Sequence, residues 1–148
     1  MRWTDSDTAF IDLQRVAHLA TVGSEAEPHV VPVCFVFDGE RFYTALDQKP
    51  KRVPPERLHR IRNIQGNAKV ALLLDEYQED WKRLRYLLIH GEASLVEDGA
   101  ERSRAFRLLL AKYSQYREAG LEDAAWPLIR IDPRRVHRWR ASAKPEGS

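Results

Sequence analysis

The order of apolar and polar positions along the chain predicts a mainly β protein with few helices. Residues 4–15 fit a short amphipathic helix, because Thr4 precedes two acids and apolar residues then recur at helical spacing. Six later runs are apolar or alternating and are bounded by turn-forming residues, so we interpret them as strands. These predicted strands cover residues 18–23, 29–38, 40–46, 69–75, 85–97 and about 127–139.

Several positions inside these strands predict irregular backbone. Pro32 lies within the second run, and because proline cannot donate to a strand ladder, we expect an edge, a bulge or a gap there. Gly91 predicts a bend in the fifth strand, and Asp132–Pro133 predicts a break or bulge in the sixth. A gap at Pro32 would leave neighbouring backbone groups free to meet a ligand.

Two further helices are predicted between the strands. The first begins at Pro54–Glu56 and ends at Gly66–Asn67. The second opens with Asp98 and Glu101, which are spaced as a capping box. Long strands joined by hairpins, with helices between them, favour a closed or split antiparallel β-barrel with helices packed outside.

The composition fits one globular domain. Of the 148 residues, 43% are hydrophobic and 31% are charged, which indicates neither a disordered chain nor a membrane protein. We predict a single domain over residues 1–141 and a disordered tail at residues 142–148. The start of the chain has no apolar signal core, and the single Cys34 resembles a small core residue, so a cytoplasmic location is predicted.

Common catalytic and nucleotide-binding motifs are absent from the sequence. It contains no CxxC or HExxH metal motif and no GxSxG elbow. No GxGxxG or GxxxxGK[ST] loop is present either, so a cofactor phosphate would have to be held in another way. The five histidines are scattered, which favours ordinary surface or strand residues, and we predict no metal site.

A basic segment spans Lys49–Arg62 in a chain whose formal charge is only +2. Its basic residues are Lys49, Lys51, Arg52, Arg57, Arg60 and Arg62. One interpretation is a solvated basic surface. Another is an anion site, because Arg57 and Arg60 share a face of the first helical turns, where backbone N–H groups also favour anions. Nucleic-acid binding is a third interpretation, but the segment lacks aromatic residues that would stack on bases.

Two tryptophans lie in unusual surroundings. Trp81 follows the acidic stretch Asp75–Asp80 in a polar loop, where it is either a lid or part of a subunit interface. The acids beside it fit a plain turn better than a metal site. Trp139 stands between Arg138 and Arg140 near the end of the last strand, where it either closes a site or has neighbours that face solvent.

The chain carries, in this order, the segments LATVG, HVVPVCFVFD, DGERFYTAL, RLHRIRNIQGNAKVALLLD and DEYQEDW. Their order and spacing resemble the pyridoxamine 5′-phosphate oxidase-like split-barrel superfamily over roughly residues 9–139. Within it, the pattern RIRNI, KVALLLD, EDW and HGEA looks like the branch of coenzyme F420-dependent enzymes.

The resemblance implies a six-stranded antiparallel split β-barrel, a homodimer and two flavin-like sites at the dimer interface. It implies a cofactor, F420 or alternatively FMN, whose phosphate is held by Lys51, Arg57 and Arg60, with Lys49 and Arg52 as neighbours. The implied neighbours of the ring are backbone near Val31, Pro32, Val33, Thr44 and Ala45, with Trp81 and Trp139 near ring or tail from either subunit.

On this basis we expect an oxidoreductase that transfers a hydride between a deazaflavin cofactor and a small organic substrate. The alternatives are an FMN-binding oxidoreductase of the same fold and a non-catalytic flavin- or deazaflavin-binding protein. The expected partners are a second copy and a small-molecule substrate, with no nucleic acid and no membrane. No side chain is an obvious general acid, although Tyr43 and His29 are candidates.

Overall fold

The computed structural model describes residues 1–46, 55–97, 99–118 and 126–142, without the side chains of residues 55–58 and 118. Its helices are α1 (Asp5–Leu13), α2 (Pro55–Gly66), α3 (Ala100–Lys112) and α4 (Gln115–Glu118), with a 3₁₀ turn at Trp81–Arg83. Its strands are β1 (Ala17–Val22), β2 (Pro28–Val33), β3 (Val36–Phe37), β4 (Phe42–Ala45), β5 (Lys69–Glu76), β6 (Arg85–Leu95) and β7 (Leu128–Arg140). None of these described helices is long and apolar enough to cross a membrane.

The strands of the described residues form one antiparallel sheet in the order β2-β1-β5-β6-β7-β4-β3. The two edge strands, β2 and β3, are consecutive in the chain, and only Cys34 and Phe35 separate them. Such a link spans at most about 10 Å, because an extended chain covers about 3.3–3.6 Å per residue. The sheet therefore has to curl until its edges meet, which makes it a split barrel.

The predicted mainly β split barrel with peripheral helices is confirmed. The described residues hold seven strands instead of six, because the run at residues 29–38 is divided into β2 and β3. The division comes where the chain leaves one sheet edge and joins the other. Pro32 lies on the edge strand β2, one of the positions in a sheet where proline is tolerated.

Two hydrophobic cores stabilise the barrel. The inner core fills the barrel with alternate strand residues, among them Leu19, Leu72, Leu87, Ile89 and Ile129. The outer core packs α3 against the outside of β3, β4 and the start of β7, through residues that include Tyr43, Phe106, Leu109 and Leu128. Each fully buried large apolar side chain contributes about 1.5–3 kcal/mol to folding.

Two of the three predicted helix starts rest on side-chain caps, and these caps have different outcomes. At α1, Thr4 is the N-cap residue, and its side chain and that of Asp7 accept each other's backbone N–H at 3.0 Å. The capping box predicted from Asp98 and Glu101 is wrong, because Gly99 is the N-cap residue of α3 and has no side-chain cap. Asp98 itself lies outside the described residues.

Gly91 and Asp132–Pro133 form one irregularity between β6 and β7. The register shifts between His90 and Gly91, so β7 holds one extra residue opposite them. A Cβ on Gly91 would lie 2.5 Å from the backbone carbonyl oxygen of Asp132. Both predicted irregularities are therefore confirmed as the two sides of one β-bulge.

Gly91→Ala is expected to destabilise the protein by about 1–3 kcal/mol, because the added Cβ has to displace backbone instead of a flexible side chain. Gly66→Ala is the matched control, since a Cβ at the end of α2 meets nothing within 4 Å and alanine is the better helix former. Urea unfolding followed by circular dichroism measures both. An unchanged unfolding midpoint for Gly91→Ala would contradict the close contact.

Candidate functional site

A cleft of about 270 Å³ opens between the two sheet edges, and we call it the edge cleft. Its walls come from the end of β2 and the link after it, from β4 and the residue after it, and from α2 and α4. The lining residues are Pro32, Val33, Cys34, Thr44, Ala45, Leu46, Arg60 and Tyr116. Curling of the sheet thus brings together segments that are far apart in the sequence.

The cleft remains open because β3 is too short to close the gap between the edges. β3 pairs with β4 only at Phe42 and Tyr43, so Thr44 and Ala45 have no described strand partner on that side. The Thr44 hydroxyl donates to the Cys34 carbonyl oxygen at 2.6 Å and ties β4 to the link. Backbone groups along such an edge are available to a ligand.

Tyr113, at the end of α3, fixes the link from the outer core. Its hydroxyl accepts from the Phe35 N–H at 3.1 Å. It can donate to the carbonyl oxygen of Arg15 or of Phe35, at 2.9 and 3.0 Å. Burial raises the pKa of the Tyr113 hydroxyl, so it keeps the proton that it donates.

Arg60 carries the charge of the edge cleft. It is the only charged residue among the lining residues that the structure describes, and its exposed fraction is 6%. A guanidinium beside a hydroxyl and open backbone edges favours an anionic group such as a phosphate, because its planar fork matches two oxygens. The predicted ring neighbours Pro32, Val33, Thr44 and Ala45 thus lie in one cleft with the predicted phosphate ligand Arg60.

The other basic residues predicted for the phosphate lie outside the part of the chain that the structure describes. Lys49, Lys51 and Arg52 belong to residues 47–54, and Arg57 is described only in its α2 backbone. Val31, a predicted ring neighbour, does not line the edge cleft and packs against the inner core instead.

The two predicted tryptophans lie in the turn between β5 and β6 and near the end of β7. Trp81 is 67% exposed, and its indole N–H donates to the Tyr77 hydroxyl at 3.3 Å. Trp139 is 42% exposed and stacks on Tyr86, with ring centroids 5.6 Å apart. Neither lines the edge cleft. In the described ranges, no group of three or more His, Cys, Asp or Glu residues is arranged to hold a metal ion.

The sequence model of the pyridoxamine 5′-phosphate oxidase family matches residues 4–140, almost the whole chain. The chain belongs to this family. A 5a,11a-dehydrotetracycline/5a,11a-dehydrooxytetracycline reductase of Streptomyces rimosus is 29% identical to it over 140 residues, which cover 94% of this chain and 84% of the relative. The resemblance predicted from the order of motifs is confirmed at the level of the family.

Solved structures of other proteins share the fold. A conserved protein of Mycobacterium tuberculosis has a TM-score of 0.74 and 21% identity, with 100% of this chain and 92% of that chain covered. HutZ, the haem storage protein of Vibrio cholerae, has a TM-score of 0.72 and 20% identity, with 95% of each chain covered. At these identities the likeness shows the fold alone.

Three residues of the edge cleft are not singled out by any sequence pattern. Cys34 reads as a small core residue, but it is partly exposed because it lies on the link between the sheet edges. Leu46 directly follows β4, and its N–H donates to the Pro127 carbonyl oxygen at 2.9 Å. Tyr116 comes from the four-residue α4. In the sequence, these residues are marked only by their positions. Cys34 and Leu46 each follow a predicted ring neighbour, and Tyr116 follows α3.

Tyr43, one of the two candidate general acids, does not line the edge cleft. Strand residues alternate between faces, so Tyr43 is fully buried in the outer core while its neighbour Thr44 reaches the link. Its hydroxyl donates to the Glu101 carboxylate at 2.7 Å. Burial and this hydrogen bond raise the pKa of Tyr43 to about 12. The other candidate acid, His29, stacks on His59 and does not line the edge cleft.

Glu101 is expected to stabilise the outer core in a pH-dependent way. It accepts from Arg130 at 2.6 Å as well as from Tyr43, and these bonds hold its pKa below the ordinary 4.5. The stabilisation is therefore complete above pH 4.5 and is lost as the pH falls through the folded-state pKa. Glu101→Gln should cost about 1–2 kcal/mol at neutral pH, because the amide still accepts from Tyr43 but loses the charge facing Arg130.

Urea unfolding of wild type and Glu101→Gln at a series of pH values measures this difference. The deficit of the variant should shrink as the pH falls below 4.5. Glu92→Gln is the control, because Glu92 forms an exposed pair with Arg134 and should show no measurable deficit at any pH. A Glu101→Gln deficit that stays constant down to pH 3 would rule out the charge as its cause.

Proposed function

We propose that the protein is a cytoplasmic oxidoreductase that binds coenzyme F420 in the edge cleft and transfers hydride between it and a small organic substrate. The convergence of Pro32, Val33, Thr44, Ala45 and Arg60 in one cleft carries this proposal. The relative from Streptomyces rimosus, which is named as a reductase of dehydrotetracyclines, supports reduction as the reaction class. FMN is the alternative cofactor.

The chemistry of the edge cleft fits a planar cofactor that carries a phosphate. Arg60 supplies charge for the phosphate, while Pro32, Val33 and Ala45 give apolar and backbone surface for a ring. A bound deazaflavin would supply the hydride chemistry. The residues of the chain would orient the ring, exclude water from one side of it and fix the phosphate, so their contribution is position and electrostatics.

We also propose that a second copy covers part of the outer face of the sheet. α3 covers that face at β3, β4 and the start of β7. On β2, β5 and β6, the outward residues Val30, Leu73 and Leu88 pack against neither core, and Val30 is 60% exposed. We call the surface of these three residues the outer patch. Exposed apolar surface of this kind is typical of an interface between subunits.

The outer patch borders the edge cleft. Pro32 lines the cleft and lies two residues from Val30 on the same side of β2. Trp139 lies on the same side of the sheet as Leu88, because Trp139 pairs with Tyr86, which lies two residues before Leu88 on β6. The volume of the edge cleft is about 270 Å³. Small-molecule sites usually have volumes of about 300–1,000 Å³, so this cleft is slightly too small by itself. A second copy seated on the outer patch would supply the missing wall.

Arg60→Gln is expected to weaken cofactor binding about 10- to 100-fold, because it removes a charge-assisted hydrogen bond of about 1.5–3 kcal/mol. Fluorescence titration with F420, FMN and haem measures the affinities. Arg62→Gln is the matched control, as an exposed arginine two residues further along α2. Thr44→Val tests the cleft without a change of charge, and circular dichroism verifies that each variant is folded.

The same experiments separate the proposed functions. Tight F420 binding, with reduction of a dehydrotetracycline by reduced F420, supports the proposal. A protein that purifies yellow with FMN supports the FMN alternative, and binding without turnover of any acceptor supports a non-catalytic binder. Affinities that do not change in Arg60→Gln and Thr44→Val would show that the edge cleft is not the cofactor site.

Leu88→Asp is expected to convert a dimer into a folded monomer, because a charge on the outer patch would have to be buried in the interface. Analytical ultracentrifugation gives the mass of each species. Arg107→Asp, on the exposed side of α3, is the control and should leave the mass unchanged. A wild-type protein that sediments as a monomer at micromolar concentration would refute the dimer.

A further inference from the structure

A second cleft, of about 240 Å³, lies beside the first turn of α1, and we call it the α1 cleft. Its walls come from α1, from the start of β6 and from the end of β7. It shares no lining residue with the edge cleft. Within one protomer the two clefts are separate.

One buried carboxylate in the α1 cleft is already neutralised. The side chain of Asp7 is 2% exposed and accepts from Arg138 Nε at 2.9 Å, with Arg138 Nη2 at 2.8 Å. The same carboxylate accepts the backbone N–H of Thr4. Its other oxygen lies 4.0 Å from Arg85 Nη2, which makes a longer ion pair without a hydrogen bond. The hydrogen bonds of Asp7 are therefore those to Arg138 and to the capping box, and its single charge faces two arginines.

Arg85 and Arg140 converge on a neutral oxygen instead. Arg85 Nη2 donates to the Ser6 hydroxyl and carbonyl oxygens at 3.0 and 3.2 Å, and Arg140 Nη2 donates to the same hydroxyl at 3.3 Å. Partial burial and the charge of Arg140 lower the pKa of Arg85. The charge of Glu76 acts in the opposite direction and raises the pKa of Arg85. Glu76 is hydrogen-bonded to Gln78, however, and forms no ion pair with Arg85 among the described residues.

We propose that Arg85 and Arg140, with the Ser6 hydroxyl between them, form a second anion-binding site that takes a phosphate or carboxylate group of a small ligand. Two guanidinium forks aimed at one point match the oxygens of such a group, and a hydroxyl can turn to donate to it. The guanidinium carbon of Arg85 lies 4.4 Å from the centre of the Phe10 ring, which holds the side chain in place before binding. This site does not depend on what the edge cleft binds.

Isothermal titration calorimetry of the full chain with inorganic phosphate, and separately with glutarate, tests this site at constant ionic strength. Saturable binding is expected. At constant ionic strength, general screening by salt is the same at every point of the titration, so a saturable signal reports binding at a site. Arg140→Gln should weaken it at least tenfold and leave the melting temperature nearly unchanged, since Arg140 is exposed. Arg134→Gln is the matched control, as an exposed arginine of the same strand paired with Glu92, and should bind as the wild type does.

The variant Arg60→Gln distinguishes anion binding in the α1 cleft from anion binding in the edge cleft. It should retain the anion binding that Arg140→Gln loses. A response to phosphate alone or to glutarate alone supports the site and identifies its oxyanion. The proposal is overturned if neither anion binds saturably, if Arg134→Gln loses as much as Arg140→Gln, or if Arg60→Gln alone abolishes binding. In each of those outcomes, Arg85 and Arg140 only hold α1 against the barrel.

Discussion

The two-residue link between β2 and β3 is the constraint on which the rest of the structure depends. Because Cys34 and Phe35 join opposite edges of one sheet, the sheet has to close on itself, and closure creates the inner core. Tyr113 holds the link through Phe35 from the side of α3, so both cores are coupled at this point. The edge cleft is the part of the seam that the short β3 leaves open, and it therefore follows from connectivity rather than from an added loop.

Strand alternation then assigns neighbouring residues of β4 to different tasks. Tyr43 faces outward and, through Glu101, fixes the start of α3, whereas Thr44 bonds to the link at the cleft. A shift of one residue in the pairing of β4 with β7 would exchange these two faces. The carboxylate network around Glu101 therefore also keeps Thr44 in the position from which it borders the edge cleft.

Local patterns predict those parts of the fold that depend on local chemistry. The cap at Thr4 and the bulge at Gly91 follow from side-chain and backbone properties of a few adjacent residues. The break at Cys34–Phe35 has no turn residue and results from barrel closure, which is a non-local condition. Glu101 has the spacing of a capping residue, but distant partners compete for its carboxylate. In the edge cleft, Pro32 and Arg60 are predictable from their residue types, whereas Tyr116 depends on how α4 packs.

At the end of β7, the strand register determines on which face of the sheet each residue of a sequence motif lies. Sequence alone places Trp139 between two arginines and leaves open whether Trp139 closes a site or its neighbours face solvent. The pairing with β6 instead places the Trp139 ring on the side of the outer patch, where it stacks on Tyr86. Arg138 and Arg140 bond to α1 on the other side, and Trp139 also borders the α1 cleft. If a second copy covers the outer patch, Trp139 therefore belongs to that interface, while Arg140 stays open to solvent on the opposite side. A dimer and an anion site in the α1 cleft can thus exist together, because one strand supplies them from opposite faces.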